Sequence, residues 1–254
     1  MNPSINADGL VGTSTIVTGA GRGFGRAIAA ALASAGAHVI GVARTDAQLD
    51  EVAAELGDSF TPVVADAADP ATAARLIEEY RPRTLVLSAG AAPSMNPLQD
   101  QTWESFSLNW NVDVAQAFHW TRYALRRPLP PGSSVIAMSS GAAVNGSPLS
   151  GGYAGAKATV KFITSYAAGE SQRARMGIRF VSVLPRLTPA TELGDNAVAA
   201  YAERQGVDVE TFVQSTGPVL DAEQVGKCVL EIAANGAGDH GAYLLASSGL
   251  SALV

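Results

Sequence analysis

What most constrains the fold of this chain is a regular alternation of short, unbroken apolar runs with helical patterns. Thr15-Ile16-Val17, His38 to Ala43, Phe60 to Ala65 and Thr84 to Ser88 are the first four runs. Between them, Ala27 to Ala35, Asp46 to Leu56 and Pro70 to Tyr80 carry apolar residues at helical spacing, with Leu49, Val52, Ala53 and Leu56 on one face of the second. Strands that are apolar without alternating are buried on both faces, as parallel strands covered by helices are.

The alternation continues downstream. Helical patterns at Asp100 to Arg127, Gly152 to Arg175 and Asp221 to about Ala234 separate the runs Ser134 to Ser139, Ile178 to Leu184 and Gly241 to Leu245. Six to seven strands joined by right-handed crossovers predict an α/β protein with a doubly wound parallel sheet, a Rossmann fold, and helices on both faces. No linker or repeat divides the 254 residues, so residues 1–254 read as a single domain. Residues 186–220 are the least regular stretch and the expected substrate lid.

Thr18-Gly19-Ala20-Gly21-Arg22-Gly23-Phe24-Gly25-Arg26 joins the first run to the first helix. Glycines there permit positive φ and remove the side chains that would hold the backbone away from a pyrophosphate. The following helix would present its unpaired amides to the anion.

Composition excludes several classes. The net charge is −6 and basic residues are scattered, which argues against a nucleic-acid partner. Cys228 is the one cysteine, so no intrachain disulfide and no thiolate metal site is expected. No uncharged apolar run approaches the roughly 18 residues of a membrane helix, and the first dozen residues lack a signal-peptide pattern. The expectation is a cytoplasmic protein with no metal and no membrane partner.

The second run ends Val42-Ala43-Arg44, where dinucleotide-binding sheets that take NAD carry an acid about 20 residues after the glycines. An arginine there can pair with a 2′-phosphate, and Arg22 can join it. NADP is therefore expected over NAD, with Asp46 the residue that would reach the ribose in the other case. Asp66 sits where a carboxylate could accept from the adenine amino group; a loop carboxylate capping the next helix is the alternative, and Asp69 before Pro70 suits that role better.

Tyr153 and Lys157, four apart on a predicted helix, share a face. An ammonium close to a phenol favours the phenolate, which suits acid/base work near neutral pH. Together these features make the chain resemble the short-chain dehydrogenase/reductase family from Thr13 to about Leu245. Thr18-Gly19-x-x-x-Gly23-x-Gly25 is similar to its cofactor turn, Tyr153-x-x-x-Lys157 to its catalytic pair, Ser140 to its serine and Asn111 to its asparagine.

That resemblance implies an oxidoreductase that interconverts a small-molecule carbonyl and a secondary alcohol. Tyr153 would be the general acid/base, and Ser140 would hydrogen-bond the substrate oxygen. Lys157 would bind the nicotinamide ribose, and Asn111 would hold a water leading to solvent. Ser139 and Asn109 are the neighbouring alternatives to Ser140 and Asn111. The cofactor would meet Gly19, Gly21, Arg22, Gly23, Phe24 and Gly25 at the turn, Arg44 and Asp66 further out, and Ala89 and Gly90 beyond the fourth strand. Pro185 and Thr188, with Thr191 as alternative, would meet the nicotinamide end together with Tyr153 and Lys157.

The chain also departs from the family pattern. Leu87-Ser88-Ala89-Gly90 replaces Asn-Asn-Ala-Gly, Pro185-Arg186 replaces Pro-Gly, and the common C-terminal double glycine is missing. A dinucleotide-binding sensor or scaffold without chemistry is the competing reading, and a nucleotide-sugar epimerase would need a longer C-terminal part. In the family the two long helices commonly pair between subunits. Trp103, Phe106, Trp110, Phe118, Trp120, Phe162 and Tyr166 lie on them, so a homodimer or homotetramer is expected.

Overall fold

In a computed structural model, residues 9–235 and 241–253 are described. Residues 1–8, read above for a leader, and the ends of the predicted 1–254 domain lie outside them. The first half runs β1 (Ser14–Thr18), α1 (Gly23–Ser34), β2 (His38–Ala43), α2 (Asp46–Leu56), β3 (Phe60–Val64), α3 (Pro70–Tyr80) and β4 (Thr84–Leu87). There follow α4 (Trp103–Asn109), a π-turn (Trp110–Val114), α5 (Ala115–Arg126), β5 (Ser134–Met138), α6 (Ala142–Asn145), α7 (Gly151–Arg173) and β6 (Arg179–Pro185). The last part is α8 (Glu192–Gln205), α9 (Val209–Ser215), α10 (Ala222–Asn235), β7 (Ala242–Ala246) and β8 (Gly249–Ala252).

All eight strands form one sheet in the order β3-β2-β1-β4-β5-β6-β7-β8. Every pairing is parallel except β7 with β8. The doubly wound parallel sheet expected from the sequence is present. It carries one strand more than expected, because β8 follows β7 through a tight antiparallel turn at Ala246–Gly249. A four-residue strand, Gly-Leu-Ser-Ala, has no apolar run to announce it.

Each central strand feeds two cores. Val17, Val39, Val86, Ile136 and Val181 point to α1, α2 and α10, against Ile28, Leu32, Leu49, Val229 and Ile232. Their neighbours Ile16, Ile40, Leu85, Val135 and Phe180 point to α3, α5 and α7, against Leu76, Trp120, Ala124 and Val160. This is why the runs read as continuous and not alternating: both faces are buried, at about 1.5–3 kcal/mol for each large side chain.

The predicted helix from Asp100 to Arg127 is broken. α4 starts at a reciprocal cap between Thr102 and Ser105, and the π-turn separates it from α5. Such turns recur at functional sites because the extra residue re-aims neighbouring side chains. Asp69 caps α3 by accepting from the Ala71 amide at 2.9 Å, and Asp221 caps α10 with Gln224 in reciprocal bonds. Residues 186–220 fold mainly into α8 and α9, whose own small core is Val198, Ala202 and Phe212 with Tyr201 and Val213. Leu187 and Leu193 remain exposed.

Candidate active site

Strand order reverses between β1 and β4, so their carboxyl ends open a crevice. The turn from β1 to α1 and the loop after β4 line it. Gly19 has φ +69, and a Cβ there would lie 2.8 Å from the Ala89 backbone. A Cβ on Gly25 would lie 2.0 Å from the Gly19 carbonyl oxygen. Only glycine allows both approaches. No side chain caps α1, and its first turn holds no acid, so its leading amides are free for an anion. These features fit a dinucleotide pyrophosphate.

Ser88, which stands where the family has asparagine, is accommodated by other groups. Thr18 Oγ1 accepts from the Ser88 and Ala89 amides at 3.0 and 3.2 Å and donates to Gln116 Oε1, while Gln116 Nε2 donates to Ala89 O at 2.8 Å. The β1 end, the Ala89–Gly90 loop and α5 are thus held together without an asparagine side chain.

On the other side of the crevice, α7 is fastened to the end of β5. Ser139 Oγ donates to the Lys157 carbonyl at 2.8 Å, and Lys157 Nζ donates to the Met138 carbonyl at 3.0 Å. The Lys157 ammonium lies 5.6 Å from the Tyr153 ring centroid. Ser139 is buried and committed to this anchor; Ser140 is half-buried and its oxygen accepts from the Ala142 amide at 3.2 Å, leaving its hydrogen free to donate. Ser140, Tyr153 and Lys157 therefore share one strand end.

The asparagine expectation is corrected. Asn111 is exposed, and its side chain makes no hydrogen bond among the described residues. The side chain against Lys157 is Asp113, 1% exposed, with Oδ1 2.9 Å from the ammonium. Asp113 Oδ2 accepts from the Ala91 amide and from Asn109 Nδ2, both at 3.1 Å, and Asn109 Nδ2 also donates to Ala91 O at 2.7 Å. Burial disfavours the Lys157 charge, but attraction to Asp113 and Tyr153 outweighs it and holds the ammonium above the ordinary lysine range. The signal for Asp113 was in the helical period: it shares a face with the buried Ala117, Trp120 and Ala124, from which Asn111 turns away.

Other expected cofactor residues are placed as follows. Arg22 forms an exposed ion pair with Glu192 at the start of α8, while Arg44 stands exposed without an ion pair among the described residues. Asp66 is exposed, and its Oδ1 accepts from the Ala68 amide at 2.8 Å in the turn before α3, while the helix cap falls to Asp69. Thr188 is a second correction: it is 4% exposed and its hydroxyl donates to the Leu220 carbonyl at 2.6 Å, so it is spent on chain packing. Thr191 lies against the glycine turn, 3.6 Å from a Cβ placed on Gly23, and caps α8 through Gly194. Pro185 faces the serine loop, accepting from the Gly141 amide at 2.8 Å.

A profile of the short chain dehydrogenases matches residues 13–202, spanning the crevice, the Asp113 turn and the Tyr153–Lys157 helix. The chain belongs to the short-chain dehydrogenase family. Among curated relatives it is similar to the L-xylulose reductase of Mesocricetus auratus, 32% identical over 134 residues, 52% of this chain and 54% of that protein. The chain thus spans about half the length of that relative. In fold it is similar to L-sorbose reductase from Gluconobacter frateurii complexed with NADPH and L-sorbose, with TM-score 0.78, 24% identity, and 96% and 98% of the two chains covered. It is also similar to 3-ketoacyl-(acyl-carrier-protein) reductase from Brucella melitensis complexed with NADH, with TM-score 0.77, 23% identity, and 93% and 98% covered. Among the described residues of this family member, no helix is long and apolar enough to cross a membrane, and no group of three or more His, Cys, Asp or Glu is placed to hold a metal.

Proposed function

We propose that this protein is an NADP-dependent oxidoreductase that interconverts a carbonyl and a secondary alcohol on a small molecule. The observation that carries the reading is the Lys157 ammonium, buried beside the Tyr153 ring at the end of β5, across the crevice from the glycine turn. Membership of the short-chain dehydrogenase family and likeness to a reductase support it. The bound nicotinamide would supply or accept the hydride.

The chain's own residues do the rest. Gly19 to Gly25 and the α1 amides cradle the pyrophosphate, with Ala89 and Gly90 forming the facing wall. Arg44, with Arg22 once it leaves Glu192, binds the 2′-phosphate and selects NADP. Thr191 replaces Thr188 as the contact from the 186–220 lid. Lys157 orients the ribose. Ser140 donates to the substrate oxygen, and Tyr153 gives that oxygen a proton during reduction or removes it during oxidation.

A homodimer or homotetramer in the cytoplasm completes the proposal. Phe118 on α5 and Phe162 and Tyr166 on α7 are exposed, and the last two stack at 6.2 Å, while Trp120 is fully buried. Exposed aromatic area of this kind fits subunit pairing. Light scattering checks it, and a monomer would count against it.

The decisive experiment is Tyr153→Phe, assayed for NADPH binding by fluorescence and for NADPH consumption over a ketone and aldehyde panel. Binding should persist and turnover should vanish. Turnover that survives the substitution refutes the mechanism.

A further inference from the structure

The strongest unused feature of the site is a full negative charge against its lysine. Asp113 is buried, ion-paired to Lys157 at 2.9 Å, and held from three directions: by the Ala91 amide, by Asn109, and by the close approach of Gly90, where a Cβ would lie 2.7 Å from Oδ1. The π-turn that delivers it breaks an otherwise continuous helix. A carboxylate so constrained is fixed relative to the ammonium, and the ammonium is fixed by the Met138 carbonyl.

Resting on the acid/base reading of Tyr153, we propose that Asp113 is a positioning residue that holds Lys157 in a neutral ion pair and thereby sets the pH at which Tyr153 exchanges its proton. A lone ammonium 5.6 Å from the phenol ring would favour phenolate with a whole charge. Paired with Asp113 it acts as a dipole, and its pull on the phenol is weaker. The charged groups that act on Lys157 are Asp113 from the π-turn and Tyr153 from α7 itself; β5 offers it a backbone carbonyl, and α4, α5 and α6 add no charge that acts on it.

The same pair has a second consequence. Asp113 and Asn109 clamp both the amide and the carbonyl of Ala91, so the ion pair also sets the loop after β4 that walls the cofactor crevice. Removing the charge while keeping the shape separates the two effects. Asp113→Asn retains an oxygen for the Ala91 amide, removes the charge, and puts an amino group in place of the Oδ1 that accepts from the ammonium.

The test is a tyrosinate absorbance titration of the full-length chain, taken as the difference between each protein and its Tyr153→Phe counterpart. Asp113→Asn should move the Tyr153 ionisation to lower pH by about one unit or more. The pH limb of NADPH-dependent reduction of 4-nitroacetophenone, a ketone that gives a secondary alcohol, should move the same way. Asp113→Ser, a smaller neutral side chain with room for water, should give the same shift. An unmoved ionisation in a folded variant overturns the proposal, and so does failure of both variants to fold, which would make the pair a structural element only. Surviving turnover in Tyr153→Phe would refute the proposed acid/base and leave the titration result standing, so the two failures are distinguishable.

Discussion

Replacing Gly25 by alanine tests the cofactor cradle most sharply. The added Cβ would lie 2.0 Å from the Gly19 carbonyl oxygen. Ordinary carbon–oxygen approach is about 3.3 Å, so the turn and α1 must separate by about 1.3 Å. Neither can yield easily, since Gly19 is backed by the Ala89 backbone and α1 by Ile28 and Leu32 in the core. Overpacking of this kind costs about 1–3 kcal/mol, or about 2–12 °C in melting temperature for a chain of this size. The displaced amides are those proposed to meet the pyrophosphate, and a misplacement near 1 Å weakens a positioned interaction by about tenfold to a hundredfold. NADPH fluorescence titration and a thermal melt read both effects. Gly9→Ala is the control: a Cβ there meets nothing within 4 Å, so both quantities should stay at their wild-type values. Wild-type NADPH affinity in Gly25→Ala would refute the cradle.

The two serines of the β5 end should separate by assay. Ser139→Ala loses the buried bond to the Lys157 carbonyl and should cost about 1 kcal/mol of stability with the activity largely kept; Ser140→Ala loses the longer, half-buried bond from the Ala142 amide, should cost about 0.5 kcal/mol, and should lose about a hundredfold to a thousandfold in kcat. Arg44→Ala should raise the Kd for NADPH by about tenfold or more and leave that for NADH unchanged, as isothermal calorimetry would show. Glu192→Gln should release Arg22 and tighten NADPH by about two- to fivefold at low salt, the scale of an exposed ion pair, with no gain at high salt.

That Tyr153, Lys157 and Ser140 come together is legible in the sequence, because each sits at a fixed offset from a strand end or on one turn of a helix. Asn111 matches a motif, but the helical period turns it away from the core and points Asp113 inward. Thr188 is not legible locally for a different reason: the partner that consumes its hydroxyl, Leu220, is 32 residues away in the chain. Ser88 looked like a loss, and its compensation by Thr18 and Gln116 joins β1, β4 and α5, three segments no local pattern connects.

What the chain's sequence determined by itself is the set of local choices: which runs are strands buried on both faces, where helices begin, and where glycine must stand. Those follow from periodicity and backbone sterics within a few residues. Tertiary structure decided which polar groups are spent and which are free. The Ser139 hydroxyl hydrogen is committed and that of Ser140 is not, Arg22 is ion-paired and Arg44 is not among the described residues, and Lys157 meets a carboxylate where the sequence suggests an amide. Each outcome depends on a partner brought in from a distant segment, and in a low-dielectric crevice that partner, more than the residue's own chemistry, sets its charge and its availability.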